Sequence, residues 1–236
     1  MKILALEFSS ARRSVAVLDT LNDPPPLTAR TPSPGTPAHC PTAVGMDAGG
    51  GGRQTNAFAL IESALAQAGA EREQIECLAI GIGPGSYTGI RAAIAIAQGW
   101  QLAREVKTVG ISSIECMAVQ FQREVGSNGV GIIVDAQRGE FYLATYRFTR
   151  EGCHEAEPLR LAAAADVRSR LASGACVAGP DATRWFPEAR NLFPDAATLA
   201  RLASSRTEFP PCEKIEPIYL REISFVKAPP PRVLPA

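Results

Sequence analysis

Hydrophobic positions recur along the chain with two different periods, and each period predicts a different kind of element. Residues 3–8 and 14–19 are short aliphatic runs separated by the small polar stretch Ser9-Ser-Ala-Arg-Arg13, which predicts a β-hairpin. From residue 55 the period lengthens. Phe58, Ile61, Leu65 and Ala68 recur at three- and four-residue spacing, with Ala57, Leu60 and Ala64 beside them, which predicts a helix over 55–68 stopped by Gly69. Residues 75–82 read as a strand, 90–104 as a second helix and 106–109 as a strand. A third helix is predicted over 112–124, opened by a serine cap with Glu115 three residues on. Strands over 130–134 and 141–148 follow, joined by the turn Asp135-Ala-Gln-Arg-Gly-Glu140. Weaker signals cover 159–161, 166–171, 175–178 and 196–204, and residues 215–221 precede a proline-rich tail expected to fray.

Two stretches depart from ordinary patterning. Along 90–104, Ile90, Ala93, Ile94, Ala97 and either Trp100 or Gln101 make one apolar face, while Ala92, Ala95, Ile96 and Ala103 leave little polar surface elsewhere. Such a helix has to be covered on more than one side, by its own core or by another chain. Residues 22–52 are rich in proline and glycine; 27–30 could add a short third strand, and 31–52 are expected to form a mobile surface insertion. A hairpin followed by helix, strand, helix and strand is an α/β layout with a mixed sheet. The second half begins the scheme again with less material, which suggests two related lobes, the second reduced.

Composition narrows the function classes. The 236 residues carry 24 basic and 24 acidic side chains, so no overall field draws the chain to nucleic acid or anionic lipid. The six cysteines form no C-x-x-C pair, the pattern of neither a zinc framework nor a disulfide scaffold. The opening apolar run is too short for a signal peptide and no stretch is long enough to span a membrane, so a reduced, cytoplasmic protein is expected.

Candidate chemistry centres on Gly81-Ile-Gly-Pro-Gly-Ser-Tyr-Thr-Gly-Ile-Arg91, between a predicted strand and a predicted helix. Backbone N–H groups at such a place can hold an anion, with Ser9, Ser10, Gly83, Gly85 and Ser86 as the candidate loop. The spacing is nevertheless G-x-G-x-x-x-G, and no P-loop lysine follows. A tight structural turn and an anion site both stand as readings. "LEFSS" places Glu7 at the end of a strand before two hydroxyls, which could hold magnesium and phosphate or simply turn the chain. Asp135 and Glu140 could pair as acid and base, although solvated turn residues are the simpler account. His39 and His154 form no metal-binding motif, and no metal site is expected. Arg12, Arg13 and Arg53 are the candidates for a local nucleic-acid contact.

Four segments together resemble one family. "GIGPGSYTGIRAAIAIAQG" is similar to the G-x-GPGSFTG-(I/L/V)-R segment of the TsaB (YeaZ) family, "MKILALEFSS" to its opening strand, "VDAQRGEFYLATYRF" to its "IDAR-x-GEVY", and "EPIYLRE" to its closing "P-x-YLR". The resemblance implies an actin-like ATPase (ribonuclease H-like) α/β fold of two lobes with mixed sheets, the second truncated. The lobes would be 1–106 and 107–214, with 215–236 returning to the first lobe. It implies a required non-catalytic subunit that binds TsaD, and with it TsaE, in making N6-threonylcarbamoyladenosine beside the tRNA anticodon. ATP and metal would sit on those partners and not stably on this chain. The isolated chain would form a homodimer, and tRNA would be met only through the complex. Carried over, the partner interface falls on Phe58, Ile61, Leu65, Arg91, Ile94 and Gln98, with no catalytic residues. An independent ATP-dependent phosphotransferase or a glycoprotease-like peptidase is the alternative. Glu7 and Phe8 stand where the family usually has Asp-Thr, and "GRQT" replaces its basic-His-Thr signature.

Overall fold

The computed structural model describes residues 1–21, 44–47 and 57–220. Strand β1 (Lys2–Glu7) pairs antiparallel with β2 (Arg13–Asp19) in the register Lys2↔Asp19 to Glu7↔Ser14, which is the hairpin the aliphatic runs predict. β3 (Val44–Asp47) adds to the outer edge of β2, antiparallel. Helix α1 (Ala57–Ala68) then leads to β4 (Cys77–Gly81), parallel to β1. Helix α2 (Tyr87–Ala103) leads in the same way to β5 (Lys107–Ile111), parallel to β4. The first sheet thus has the order β3-β2-β1-β4-β5.

Helix α3 (Ser113–Val125) crosses to a second sheet. This sheet holds β6 (Gly129–Asp135), β7 (Glu140–Thr149) and β8 (Gly152–Ala163), then, after α4 (Ala164–Ala172), β9 (Val177–Gly179) and β10 (Arg190–Asn191), in the order β10-β9-β6-β7-β8. Helix α5 (Ala196–Ser204) closes the described helical set.

Side-chain alternation along β1 sorts the packing around the first sheet. Leu4 and Leu6 face α1 and α2, joining Val15, Val17, Ile61, Leu65, Leu78, Ile80, Ile90 and Ile94 in one core. Ile3 and Ala5 face the opposite way and meet Ala196, Leu199, Ala200 and Ala203 of α5. Helix α3 is a shared wall: Cys116 reaches the α5 cluster, while Ile114, Met117, Ala118 and Phe121 pack on Val130, Ile132 and Val134 of the second sheet. Phe141, Val167 and Phe186 centre the core on that sheet's far side. After a 3-10 turn at Cys212–Lys214, Ile215 enters the first core, and the Ile218 N–H donates to the Ile82 carbonyl at 2.9 Å.

Several expectations change. Residues 44–47, expected within a mobile insertion, form a strand because β2 offers them an unpaired edge. A division after residue 106 would put β5 in the second lobe, yet its ladder with β4 (Cys77↔Lys107 to Gly81↔Ile111) places it in the first sheet, and α5 packs there too. Helix α2 starts at Tyr87 instead of Ile90, because the Ser86 side chain caps it by accepting from the Gly89 N–H. The weak signal at 159–161 is part of the twelve-residue strand β8. The possible strand at 27–30, "GRQT", His39 and the tail beyond residue 220 lie outside the described residues.

Candidate functional site

The glycine segment leaves the end of β4 and passes beside the turn that joins β1 to β2. Its peptide Gly83–Pro84 is cis, and Gly83 has φ +85°. Three glycines here are fitted to close approach by other atoms of the chain. A Cβ on Gly85 would lie 2.1 Å from the Ser9 carbonyl oxygen, and one on Gly89 would lie 2.0 Å from that of Phe8. A Cβ on Gly81 would lie 2.1 Å from the Glu7 carboxylate. No side chain at these positions could be accommodated without moving backbone or that carboxylate.

The loop's hydrogen bonds are made within the chain. The Ser86 N–H donates to the Ser9 carbonyl at 2.6 Å, and the Gly83 N–H donates to Ser113 Oγ at 3.2 Å. Ser113 Oγ in turn donates to Glu7 Oε2 at 2.9 Å, while Glu7 Oε1 accepts from the Ser9 N–H at 2.8 Å. Glu7 is fully buried. Burial raises its carboxyl above the usual carboxylate value, against the pull of the Ser9 and Ser113 hydrogen bonds, with Asp195 adding a smaller upward push. One carboxyl therefore ties the hairpin turn, the glycine loop and the start of α3 together.

The anion-loop candidates Ser9, Ser10, Gly83, Gly85 and Ser86 do come together, but the Ser9 carbonyl presses on Gly85 and accepts the Ser86 N–H. Ser9 and Ser10 are buried, and Ser10 Oγ donates to the Arg12 carbonyl. The resemblance implies a relic of a phosphate-binding loop at this place, and these residues do not fit a nucleotide phosphate or its metal. The Ser9 carbonyl turns acceptor density toward the loop, and both oxygens of Glu7 are committed inward. No cluster of metal-binding side chains occurs among the described residues.

The other candidates separate. Asp135 Oδ1 accepts from the Gln137 N–H at 2.7 Å, a local turn bond, and Asp135 and Glu140 are both exposed. His154 is exposed on β8. Arg12 lies over the Phe193 ring at 4.1 Å and Arg13 faces the Phe8 ring at 5.8 Å; Arg53 is outside the described residues.

Of the six proposed interface residues, three are corrected. Ile61, Leu65 and Ile94 are only 2%, 4% and 7% exposed and pack in the first core, so they cannot touch a partner. Phe58, Arg91 and Gln98 are exposed. The outward stripe of α2 runs Tyr87, Arg91, Ala95, Gly99 and Leu102, with Gln98 beside it, and that of α1 carries Phe58, Ala59, Glu62 and Ala66. Pattern reading missed this because both helices are apolar nearly all round, so no periodicity marks the buried side. It also missed the inward turn of Glu7, for which Gly81 at the end of the neighbouring strand was the available signal.

Two mixed five-stranded sheets sharing the wall α3 make a two-lobed α/β protein. The family model for TsaD, tRNA N6-adenosine threonylcarbamoyltransferase, matches residues 54–177. The tRNA threonylcarbamoyladenosine biosynthesis protein TsaB of Escherichia coli K12 is 30% identical over 192 residues, 72% of this chain and 81% of that protein. TsaB of Haemophilus influenzae is 36% identical over 86 residues, 36% of each chain. The crystal structure of a Pseudomonas aeruginosa protein described as similar to the peptidase YeaZ superposes with TM-score 0.72 at 22% identity, covering 93% of this chain and 99% of that one. YeaZ from the same organism superposes with TM-score 0.70. The chain belongs to the TsaB (YeaZ) family.

Proposed function

We propose that this chain is a non-catalytic assembly subunit in tRNA threonylcarbamoyladenosine biosynthesis, docking a TsaD-family protein through the outward stripes of α1 and α2. The name of the Escherichia coli relative supplies the pathway. The observation that carries the docking role is the α2 stripe, on which Tyr87, Ala95, Gly99 and Leu102 stay exposed above a complete core. Alanine and glycine in such a stripe let a second helix approach closely, and an exposed aromatic beside them supplies contact area. In this reading TsaE joins the pair, ATP and metal sit on those partners, and tRNA is met through the complex in the cytoplasm. Without the partner, the same face pairs with a second copy. The closed glycine loop supports the absence of catalysis on this chain, because the Ser9 carbonyl presses on Gly85 and takes the Ser86 N–H that an anion would need.

The test is to mix the protein with the TsaD-family protein of the same genome. Co-elution as a heterodimer on size exclusion is expected, together with loss of tRNA modification when this chain is omitted. Separate elution and unchanged modification would overturn the reading.

A further inference from the structure

Tyr87 is the first residue of α2 and Arg91 lies one turn further on, so both side chains leave the helix on the same outward stripe. The Arg91 guanidinium sits over the Tyr87 ring, 4.9 Å from its centroid, and donates to the Tyr87 hydroxyl. From the far end of the chain, Tyr219 stacks on Tyr87 with centroids 5.5 Å apart and planes 29° from parallel. Its place is fixed by its neighbour Ile218, whose N–H holds the Ile82 carbonyl. Even so stacked, Tyr87 and Tyr219 remain 56% and 45% exposed.

Arg91 belongs with Arg12 and Arg184, exposed arginines set over an aromatic ring, and not with those held in an ion pair. Arg72, Arg160, Arg190 and Arg206 each pair with a carboxylate, from Glu62, Asp166, Glu124 and Glu115 respectively. Arg91 has no acidic partner among the described residues; Tyr87 holds it in place, and Tyr219 stacks on Tyr87. A guanidinium presents a planar fork of donors suited to two carboxylate oxygens. Holding the side chain beforehand reduces the ordering cost of binding. Tyrosine and arginine are also the residues that most often anchor interfaces.

We propose that Tyr87, Arg91 and Tyr219 form a preorganised anchor for a carboxylate side chain of the docking partner, at the rim of the small-residue stripe. The proposal rests on the docking role given above and names its charge chemistry. The occupant is the TsaD-family protein rather than a second copy. Glu62 is the one acidic residue within α1 and α2, and Arg72 already holds it, so a second copy's helical face brings Arg91 no unpaired acid.

The test measures the dissociation constant for the TsaD-family protein of the same genome with wild type, Arg91→Ala, Arg91→Lys, Tyr219→Leu and Ala95→Trp, at low and high salt. Arg91→Ala is expected to weaken binding by about tenfold or more and to flatten its salt dependence. Arg91→Lys, which keeps the charge but not the fork, should recover only part of the loss. Tyr219→Leu is expected to weaken binding several-fold, with no added loss in the Arg91→Ala background, the coupling expected of residues acting as one unit. Arg91→Ala binding within about twofold of wild type, while Ala95→Trp abolishes it, would overturn the anchor and leave the docking role standing. Unchanged binding by Ala95→Trp would instead remove the docking face itself. If Arg91→Ala weakens only self-association, the anchor serves a second copy and the proposal is overturned.

Discussion

The two helical layers on the first sheet are built from similar residues and come out differently. Helix α5 reads AATLARLAS, and Ala196, Ala197, Thr198, Leu199, Ala200 and Ala203 are all buried against β1, β2 and β4. Helix α2 reads YTGIRAAIAIAQGWQLA, nearly twice as long, yet only Gly89, Ile90, Ala93, Ile94 and Ala97 are buried. Small residues serve one side by letting a short helix lie flat on the sheet between two layers of the same chain. On the other side the same residue types are left facing outward. An alanine-rich helix therefore does not declare whether it is a core element or an interface; what decides is whether the chain brings a second layer to cover it.

A matched pair of substitutions tests the difference most severely. Ala200→Trp, in a fully buried site, is expected to cost about 3 kcal/mol or more, read as a large drop in the urea midpoint. Gly89→Ala comes next. In an open helix this change stabilises by roughly 1 kcal/mol. Here the new Cβ would meet the Phe8 carbonyl at 2.0 Å, so a loss of about 2 kcal/mol is expected, measurable by denaturation. If Gly89→Ala stabilises, α2 is not pinned to the hairpin turn and its outward face is not fixed from below.

The carboxyl of Glu7 lies buried at the end of β1, beside Ser9 and Ser113, and its effect depends on pH. The folded state holds this proton more tightly than the unfolded chain, whose value is near 4.5. Its contribution is therefore greatest below that pH and declines as pH rises toward the higher folded value. Glu7→Gln should remove this slope, which is at most about 1.4 kcal/mol per pH unit for one proton. Denaturation of both proteins from about pH 4 to about pH 8 checks the sign, since the variant should gain on wild type as pH increases. The smallest expected effect on stability is that of Ala95→Trp on the outward stripe, within about 0.5 kcal/mol of wild type. The same variant should lose the partner on size exclusion. A large stability loss there would mean the α2 face is covered by its own chain, and the contrast with α5 would fail.

Most of the fold was legible because its strongest elements are locally patterned. The hairpin, α1, α3 and the β6–β7 pair lie where runs and caps predict them, and Ser112 caps α3 by accepting from the Ile114 N–H. What was not legible depends on distant partners. Val44–Asp47 carries no strand signal and is a strand only because β2 has a free edge. Strand β8 follows β7 through an irregular register, with many exposed side chains, so its alternation is blurred. At the glycine loop, spacing left two readings open. What separates them is the position of the Phe8 and Ser9 carbonyls, seventy residues or more away in sequence. The tyrosine pair at Tyr87 and Tyr219 joins residues far apart in sequence, and no local signal could announce it.

The packing of α5 on the first sheet also sets an order of events during synthesis. All five strands of that sheet have been synthesised once Ile111 is made, but the Ile3, Ala5, Ala16 and Leu18 side lacks its cover until Ala203 has followed. At roughly 5–20 residues per second, the nascent chain carries an open hydrophobic sheet for on the order of ten seconds. That interval is when a chaperone that shields apolar strands would have most to do for this protein. A chain released before α5 would be prone to aggregate.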